Sequence, residues 1–200
     1  RMTGLSAQTV SVIMRALEAD GLLVKGEPIR GRVGQPSVPI GLAGSGAYFL
    51  GLKIGRRSAE LVLTNFVGNV LARAHLTYHY PTPEGTIRFT KDAISQLSEQ
   101  LDPGERARIA GLGIAMPYRI WEWARTIGIP SEAMAAWREI DIRAEIASVS
   151  SYPVYIQNDA SAACGAELVF GRSETPSDFL YFYIGYFIGG GIVLQDRLYT

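Results

Sequence analysis

The stretch that decides the fold is Gly51–Arg73, GLKIGRRSAELVLTNFVGNVLAR. Apolar and polar side chains alternate through most of it, and short segments containing Gly and Asn interrupt the alternation. The pattern predicts three consecutive strands, over Tyr48–Ile54, Ala59–Asn65 and Val70–Tyr80. We therefore expect an antiparallel meander at the start of the main domain.

Helical and strand patterns then follow one another to the end of the chain. They predict a helix over Pro83–Leu101, a strand over Ile109–Ala115, a helix over Ile142–Ser150, a strand over Val154–Gln157, a helix over Ala160–Phe170 with Asn158 or Asp159 as its cap, and strands over Asp178–Gly185 and Ile188–Gln195. This order resembles the α/β actin-like, ribonuclease-H-like fold, in which two such lobes clasp a nucleotide and a substrate.

A different pattern precedes the strands in Thr3–Leu23, TGLSAQTVSVIMRALEADGLL. Gly4 breaks the chain, Ser6 offers an N-cap oxygen, and apolar residues then recur every three or four positions. The apolar face consists of Val10, Ile13, Met14 and Leu17. Such a helix can lie in a major groove and donate to base edges and phosphates from its polar side. The predicted DNA contacts here are Ser6, Gln8, Thr9, Ser11 and Arg15.

The glycine-spaced basic segment Arg30–Pro36, RGRVGQP, follows this helix. Glycines and prolines recur through residues 31–46, which excludes a long helix or an uninterrupted strand. We interpret the segment as a wing hairpin with Arg30 and Arg32 as DNA contacts, Arg32 being suited to a narrow minor groove. A flexible basic hairpin without a specific role is the alternative.

The predicted domains are a partial winged helix-turn-helix over 1–40, a linker over 41–46 and an effector domain over 47–200. The net charge of the chain is zero, but residues 1–46 hold five basic and three acidic residues, a net charge of +2. This mild asymmetry agrees with DNA as the partner of the first module. Because Arg1–Gly4 resembles the end of an earlier helix, we expect the sequence to be a fragment.

Composition indicates a cytoplasmic protein with no membrane partner. Of the 200 residues, 48% are hydrophobic, which suffices for one good core and a small appended module. Cys164 is the only cysteine, so no intrachain disulfide can form, as is usual in a reducing compartment. No apolar run of about 18 residues could span a membrane, and no signal-peptide pattern opens the chain.

Three segments, together with the winged helix-turn-helix, carry a family resemblance: Gly51–Arg73, Tyr155–Gly171 (YIQNDASAACGAELVFG) and Tyr183–Tyr199 (YIGYFIGGGIVLQDRLY). They resemble the transcription-regulator branch of the ROK family (repressor, open reading frame, kinase). The resemblance implies a sugar-kinase-like lobe, a double-stranded DNA operator, a sugar-like effector and a homodimer or homotetramer. It also places the family's zinc cluster beyond Thr200, so no cofactor and no metal are expected in this segment.

The phosphate-binding loops of the family's kinases are altered in this chain. Where those kinases read roughly D-I-G-G-T-K, Lys53–Ser58 reads KIGRRS, so a cation replaces the carboxylate and Arg56 replaces a glycine. Where they read G-T-G-I-G-G-G, Gly185–Gly191 reads GYFIGGG, which brings in the aromatic rings of Tyr186 and Phe187. We therefore expect no catalytic residues and no binding of ATP.

The Asn158-Asp159 pair is present, and the resemblance implies a role in binding the effector. In the kinases the matching aspartate is the general base and the asparagine bonds sugar hydroxyls. A carboxylate at the end of a buried strand can accept from two hydroxyls. The alternative is that Asp159 only caps the next helix. Two departures, the missing asparagine before Trp137 and Pro117-Tyr118 in place of Pro-Gly, indicate an unusual sugar or a ligand of another kind.

Other candidate residues have two interpretations each. His75 and His79 alternate on one predicted strand face, which favours a solvated face over a metal site. The three tryptophans either stack on a sugar ring or pack between lobes; they are Trp121, Trp123 and Trp137.

The neighbouring Arg56 and Arg57 either bind an anionic ligand such as a sugar phosphate or are exposed turn residues without a role. Together with the residue patterns, the resemblance implies a DNA-binding transcriptional regulator, a repressor, whose kinase-like domain senses a sugar or sugar derivative without phosphorylating it. The alternatives are a ROK carbohydrate kinase with a DNA-binding arm and an inert scaffold that serves dimerisation alone.

Overall fold

The computed structural model of the protein describes residues 4–29, 37–171 and 176–199. The helices are α1 (Ala7–Ala19), α2 (Pro83–Ser98), α3 (Pro103–Arg106), α4 (Ala124–Ile127), α5 (Glu132–Glu139), α6 (Ile142–Val149) and α7 (Asp159–Phe170). The strands are β1 (Leu23–Lys25), β2 (Ile40–Leu42), β3 (Tyr48–Ile54), β4 (Ser58–Asn65), β5 (Val70–Thr77), β6 (Ile109–Ala115), β7 (Val154–Gln157), β8 (Phe179–Ile184), β9 (Ile188–Leu194) and β10 (Arg197–Tyr199). None of the helices in these ranges is long and apolar enough to cross a membrane.

The main sheet has five strands in the order β5-β4-β3-β6-β7. The predicted meander is confirmed, because β3, β4 and β5 pair antiparallel in sequence order. Strands β6 and β7 join beside β3 in parallel, and each is reached through a helical connection. This is the expected α/β architecture. Because β3, β6 and β7 run in one direction, their carboxyl ends meet at one edge of the sheet.

The hydrophobic core lies on one face of this sheet, beneath α2 and α6. Leu52, Leu61 and Leu112 point inward from three adjacent strands and are at most 1% exposed. They pack in the same cluster as Leu97 of α2 and Ile146 of α6. Burying each such side chain stabilises the fold by about 1.5–3 kcal/mol, and a shift of one residue would turn these side chains to the opposite face. The strands therefore have one favourable register.

A second, three-stranded antiparallel sheet has the order β10-β9-β8 and packs against α7. Its central strand, β9, contains the glycine run of the sequence. A Cβ atom on Gly191 would lie 2.5 Å from the Cβ atom of Cys164 in α7, and one on Gly189 would lie 3.0 Å from that of Ala160. The helix and the sheet approach so closely because these positions carry no side chain.

The N-terminal module begins with α1, which Ser6 caps as predicted: its Oγ accepts the backbone N–H of Thr9 at 3.1 Å. Gly21, with φ of 74°, follows the end of the helix in the left-handed conformation. Strand β1 then pairs antiparallel with β2. Residues 30–36, which hold the predicted wing, lie outside the described residues. Because β2 pairs with β1, residues 41 and 42 of the predicted linker are strand.

Several predicted boundaries were too long. The third strand ends at Thr77 instead of Tyr80, because Tyr78 turns its hydroxyl to the carbonyl of Gly55 and Pro81 follows. Helix α2 ends at Ser98 instead of Leu101. The short helices α3, α4 and α5 were not predicted, since four to eight residues give too little periodicity to detect.

Candidate functional site

A cavity of about 270 Å³ lies where the carboxyl ends of β3, β6 and β7 face the turn between β8 and β9. It is lined by Lys53, Gly55, Arg56, Pro117, Trp123, Asn158, Asp159, Ala160, Tyr183, Tyr186, Phe187, Ile188 and Gly189. The strand order thus brings together the two altered loops and the Asn158-Asp159 pair. In sequence, the lining residues extend from Lys53 to Gly189, a separation of more than 100 residues. We call this the edge cavity.

Asn158 is the N-cap of α7, and the helix begins at Asp159. The side-chain oxygen of Asn158 accepts the N–H groups of Ala160 at 3.0 Å and Ser161 at 3.3 Å. Asp159 shares the first of these donors, through Oδ1 at 3.0 Å. Both side chains are half-buried. Within the described residues, the Asn158 amide nitrogen and the Asp159 Oδ2 make no hydrogen bond, so one donor group and one anionic acceptor remain for a ligand.

Two cations line the same cavity. Lys53 is the penultimate residue of β3 and is exposed, whereas Arg56 lies in the following turn and is half-buried. The guanidinium carbon of Arg56 lies 4.1 Å from the centre of the Tyr186 ring, a cation–π geometry. Arg57, its neighbour in sequence, is exposed and is not among the lining residues. The two arginines considered as anion ligands are therefore in different environments.

Tyr78 fixes the turn that carries Arg56. Its hydroxyl donates to the Gly55 carbonyl at 2.8 Å, and its backbone N–H donates to the Arg57 carbonyl at 3.0 Å. The turn is closed by the Gly55 N–H, which donates to the Ser58 carbonyl at 2.9 Å. Burial raises the pKa of the Tyr78 hydroxyl well above its usual range. Sequence reasoning did not single out this residue, because nothing in a strand pattern indicates which carbonyl a tyrosine hydroxyl reaches.

Three aromatic rings, Trp123, Tyr186 and Phe187, form a cluster at one side of the edge cavity. Trp123 stacks on Phe187 with ring centres 4.9 Å apart and planes inclined by 29°. Phe187 meets Tyr186 edge to face at 5.1 Å. The Tyr186 hydroxyl donates to the carbonyl of Thr126 at 3.3 Å. We call these three residues the aromatic cluster; it connects the β8–β9 turn to the segment that follows β6.

The other two tryptophans do not line the edge cavity. Trp137 is 3% exposed and its indole N–H donates to the Pro81 carbonyl at 2.9 Å, so it is a core residue. Trp121 packs partly buried against the same core. Tyr118, which replaces the family's glycine, is exposed and its hydroxyl bonds Oε1 of Gln157 at 2.7 Å.

The two histidines do not share a strand. His75 lies exposed in β5 opposite Glu60, whereas His79 lies beyond the end of that strand, with its ring edge-on to Tyr80. In the part of the chain that the structure describes, no three His, Cys, Asp or Glu side chains are grouped as metal ligands would be.

The predicted DNA-contacting residues of α1 are all exposed. The Ser11 hydroxyl donates to the Ala7 carbonyl at 2.9 Å, and Arg15 Nε donates to the Ser11 carbonyl at 3.2 Å. These local bonds leave the rest of the Arg15 guanidinium directed to solvent. Arg30 and Arg32 lie outside the described residues, and the contact of all these residues with DNA remains a prediction.

A family model for the ROK family matches residues 49–200, the whole region that builds the edge cavity. The chain belongs to the ROK family. Among curated relatives, this ROK chain is 26% identical over 198 residues to a protein named xylose repressor from Bacillus spizizenii, covering 99% of the chain and 50% of that protein. The chain therefore spans about half the length of the curated relatives it matches.

Solved structures give the same fold. A ROK family transcriptional regulator described as a homolog of the Escherichia coli MLC protein superposes with a TM-score of 0.64 at 23% identity, over 98% of this chain and 49% of that one. A ROK family glucokinase from Streptomyces griseus, in complex with glucose and AMPPNP, superposes with a TM-score of 0.56 at 22% identity, over 76% of this chain and 46% of that one. Of these two likenesses, the one to the regulator covers nearly the whole chain and therefore includes the N-terminal module.

Proposed function

We infer that the protein is a DNA-binding transcriptional repressor whose kinase-like domain binds a sugar or sugar derivative without phosphorylating it. The observation that carries this proposal is the composition of the edge cavity. A hydroxyl-binding pair, Asn158 and Asp159, lines it together with Arg56 and the aromatic cluster. The Asn158-Asp159 pair suits a polyol, while Arg56, Tyr186 and Phe187 lie in the two loops that correspond to the phosphate loops of the family's kinases.

The proposal that ATP does not bind rests on space and on chemistry. Phosphate loops work because glycines let bare backbone N–H groups approach the phosphate oxygens. Here the corresponding turns carry the Arg56 side chain and the rings of Tyr186 and Phe187. The remaining 270 Å³ lies below the roughly 300–1,000 Å³ typical of pockets for drug-sized ligands. A monosaccharide suits such a cavity better than a nucleotide does.

DNA binding is supported by the exposed polar face of α1, by the β1–β2 pairing that follows it and by the names of the relatives. The resemblance to the family's repressors implies that this protein acts as a homodimer or homotetramer. Two copies of α1 would then meet half-sites about one helical turn apart in a palindromic operator.

The sensor role is tested with the substitution Asp159→Asn in the full-length protein. Removing an anionic acceptor from a hydroxyl pair costs about 1.5–3 kcal/mol, so sugar affinity should fall about ten- to a hundred-fold. The melting temperature should stay nearly unchanged, because Asn158 remains as the cap of α7. Isothermal titration with the best ligand of a sugar panel, and thermal unfolding of the same variant, measure both quantities.

The matched control is Asp102→Asn. Asp102 also accepts a backbone N–H at a helix start, that of Glu105 at 2.8 Å, but it lies outside the edge cavity. The control should leave ligand affinity unchanged. Equal affinities in the wild type and the Asp159→Asn variant would refute the sensor role of Asp159 and leave it as a helix-start residue only.

The kinase alternative has its own measurement. Calorimetry of the full-length protein with magnesium-ATP should give no binding heat, and no hexose should be phosphorylated. Micromolar affinity for ATP, or product formation from any hexose, would establish the kinase instead.

A further inference from the structure

The edge cavity carries more positive than negative charge. Its charged lining residues are Lys53, Arg56 and Asp159, which sum to a net charge of +1. Within the described ranges, neither Lys53 nor Arg56 makes an ion pair or a side-chain hydrogen bond. Glu60, which faces Lys53 across the β3–β4 pairing, forms its ion pair with Arg73 at 3.4 Å instead. A neutral sugar would provide no negative charge to pair with these two cations.

Arg56 is held in an orientation that suits an anion. Its guanidinium stacks on the face of Tyr186 at 4.1 Å. Stacking uses the flat face of the group and leaves its N–H donors, which lie in the plane, for other partners. Tyr186 is itself anchored to the Thr126 carbonyl, and the turn that carries Arg56 is fixed by Tyr78. The guanidinium is therefore restrained from both ends before any ligand arrives, which lowers the entropy lost on binding.

The two halves of the edge cavity have different chemistry. Asn158 and Asp159 present an amide donor and a carboxylate acceptor, which match hydroxyl groups. Arg56 and Lys53 present charged donors, which match a carboxylate or a phosphate, the guanidinium fork in two-pronged fashion. Both halves line one space of about 270 Å³. One small molecule that bears hydroxyls and an acid group satisfies both.

We propose that the effector is an acidic sugar, a monosaccharide with a carboxylate or a phosphate ester, and that Arg56 is the residue that selects it over the neutral sugar. This inference rests on the proposed sensor function of the edge cavity and names its ligand class. Arg56 binds the acid group, Lys53 adds long-range attraction from the exposed rim, and Asp159 with Asn158 binds the hydroxyls.

The experiment is calorimetric titration of the full-length protein with matched probes: D-glucose, D-glucuronate and D-glucose 6-phosphate, and D-xylose with D-xylonate. The acidic member of at least one set should bind about ten-fold or more tightly than its neutral partner, and its affinity should fall as potassium chloride is added. The uronate and aldonate arms separate a carboxylate ligand from a phosphate ester.

Two substitutions assign the effect to Arg56. Arg56→Met keeps the unbranched aliphatic part of the side chain and removes its charge. It should reduce the affinity for the acidic probe about ten- to a hundred-fold without changing that for the neutral sugar. Arg56→Lys keeps the charge without the planar fork and should give an intermediate affinity. Arg57→Met is the control, because Arg57 lies outside the edge cavity, and it should bind every probe like the wild type. Thermal unfolding establishes that each variant is folded.

The outcomes are distinguishable. Neutral sugars that bind as well as their acidic partners, with Arg56→Met indistinguishable from the wild type, would overturn the acidic ligand and leave the sugar sensor standing. An equal loss in Arg56→Met and Arg57→Met would reduce the effect to overall charge and overturn the selective role of Arg56. If no probe binds at all, both the acidic ligand and the sensor function fail.

Discussion

The hydroxyl of Tyr78 should stabilise the fold by holding the β3–β4 turn, and Tyr78→Phe tests this directly. The substitution removes the 2.8 Å bond to the Gly55 carbonyl and leaves the ring in place. Both groups are half-buried, so water replaces the lost partner only in part. A net hydrogen bond contributes about 0.5–1.5 kcal/mol, and we expect a loss of about 1 kcal/mol in the free energy of unfolding. For a chain of this size that corresponds to a melting temperature lower by about 2–4 °C.

The matched control is Tyr118→Phe, the same chemical change at an exposed site. The Tyr118 hydroxyl also makes a bond, to Gln157 at 2.7 Å, but its residue is 59% exposed and water can replace it. Its variant should unfold within about 0.5 kcal/mol of the wild type, as most surface substitutions do. Urea denaturation measures both. Equal stabilities for the two variants would refute the reasoning, because burial would then make no difference to the value of the bond.

A second readout of the same variant locates the effect. The Gly55 amide, which donates to the Ser58 carbonyl at 2.9 Å, closes the turn. If Tyr78 holds this turn, the Gly55 amide should exchange with deuterium faster in Tyr78→Phe, while amides in the centre of β3 change only with global stability. If amides throughout the sheet exchanged faster to the same degree as the Gly55 amide, Tyr78 would not stabilise this turn in particular.

Two further substitutions test the packing and the titration of the fold. Gly191→Ala should destabilise the protein by about 1–3 kcal/mol in urea, because its Cβ would lie 2.5 Å from the Cβ of Cys164, whereas Gly113→Ala, with no atom within 4 Å of the added Cβ, should not. The hydrogen bond from Tyr48 to Glu105, with burial, raises the tyrosine pKa to about 12, so its contribution to stability is complete below the ordinary tyrosine pKa near 10 and is lost as the pH rises from there toward 12. The free energy of unfolding, measured from pH 10 to 12, should therefore fall more steeply with pH for the wild type than for Tyr48→Phe. Parallel curves of free energy against pH would contradict the assignment.

The helices and strands were predictable from the sequence wherever their apolar residues recur with the period of a helix or a strand. Tyr48–Ile54, Ile109–Ala115 and Val154–Gln157 have the predicted boundaries, since these strands are mostly apolar and residues that break strands flank them. Beyond the meander, the sheet architecture was expected only through the resemblance to the actin-like fold, because periodicity says nothing about which strands pair when they are distant in sequence. No secondary structure was predicted between β6 and α6, since the short helices there are stabilised by tertiary packing around Met134 and Trp137.

The candidate site was predictable only as a set of residue types. Asn158 and Asp159 could be named from a motif, but their different roles could not. Asn158 is the N-cap of α7, whereas Asp159 uses only Oδ1 to accept a backbone N–H, and this difference depends on the backbone geometry at the start of α7. Arg56 and Arg57 are equivalent in sequence and differ only in the side of the turn on which they lie. The stacking of Trp123 on Phe187 joins residues 64 positions apart, and no local pattern encodes such a contact.

The glycine run of β9 shows why a motif alone is a weak argument for nucleotide binding. Gly189 and Gly191 lie against α7, and a Cβ atom on Gly190 would lie 2.5 Å from the carbonyl oxygen of Tyr181 in β8. Gly190 and Gly191 therefore require glycine for packing, and a side chain at Gly189 would be tight against α7, whether or not a phosphate binds nearby. The positions that distinguish a phosphate loop from a packed strand are those in the turn before it, and here they hold Tyr186 and Phe187. Packing thus explains the glycine run by itself, while Tyr186 and Phe187 of the preceding turn line the edge cavity.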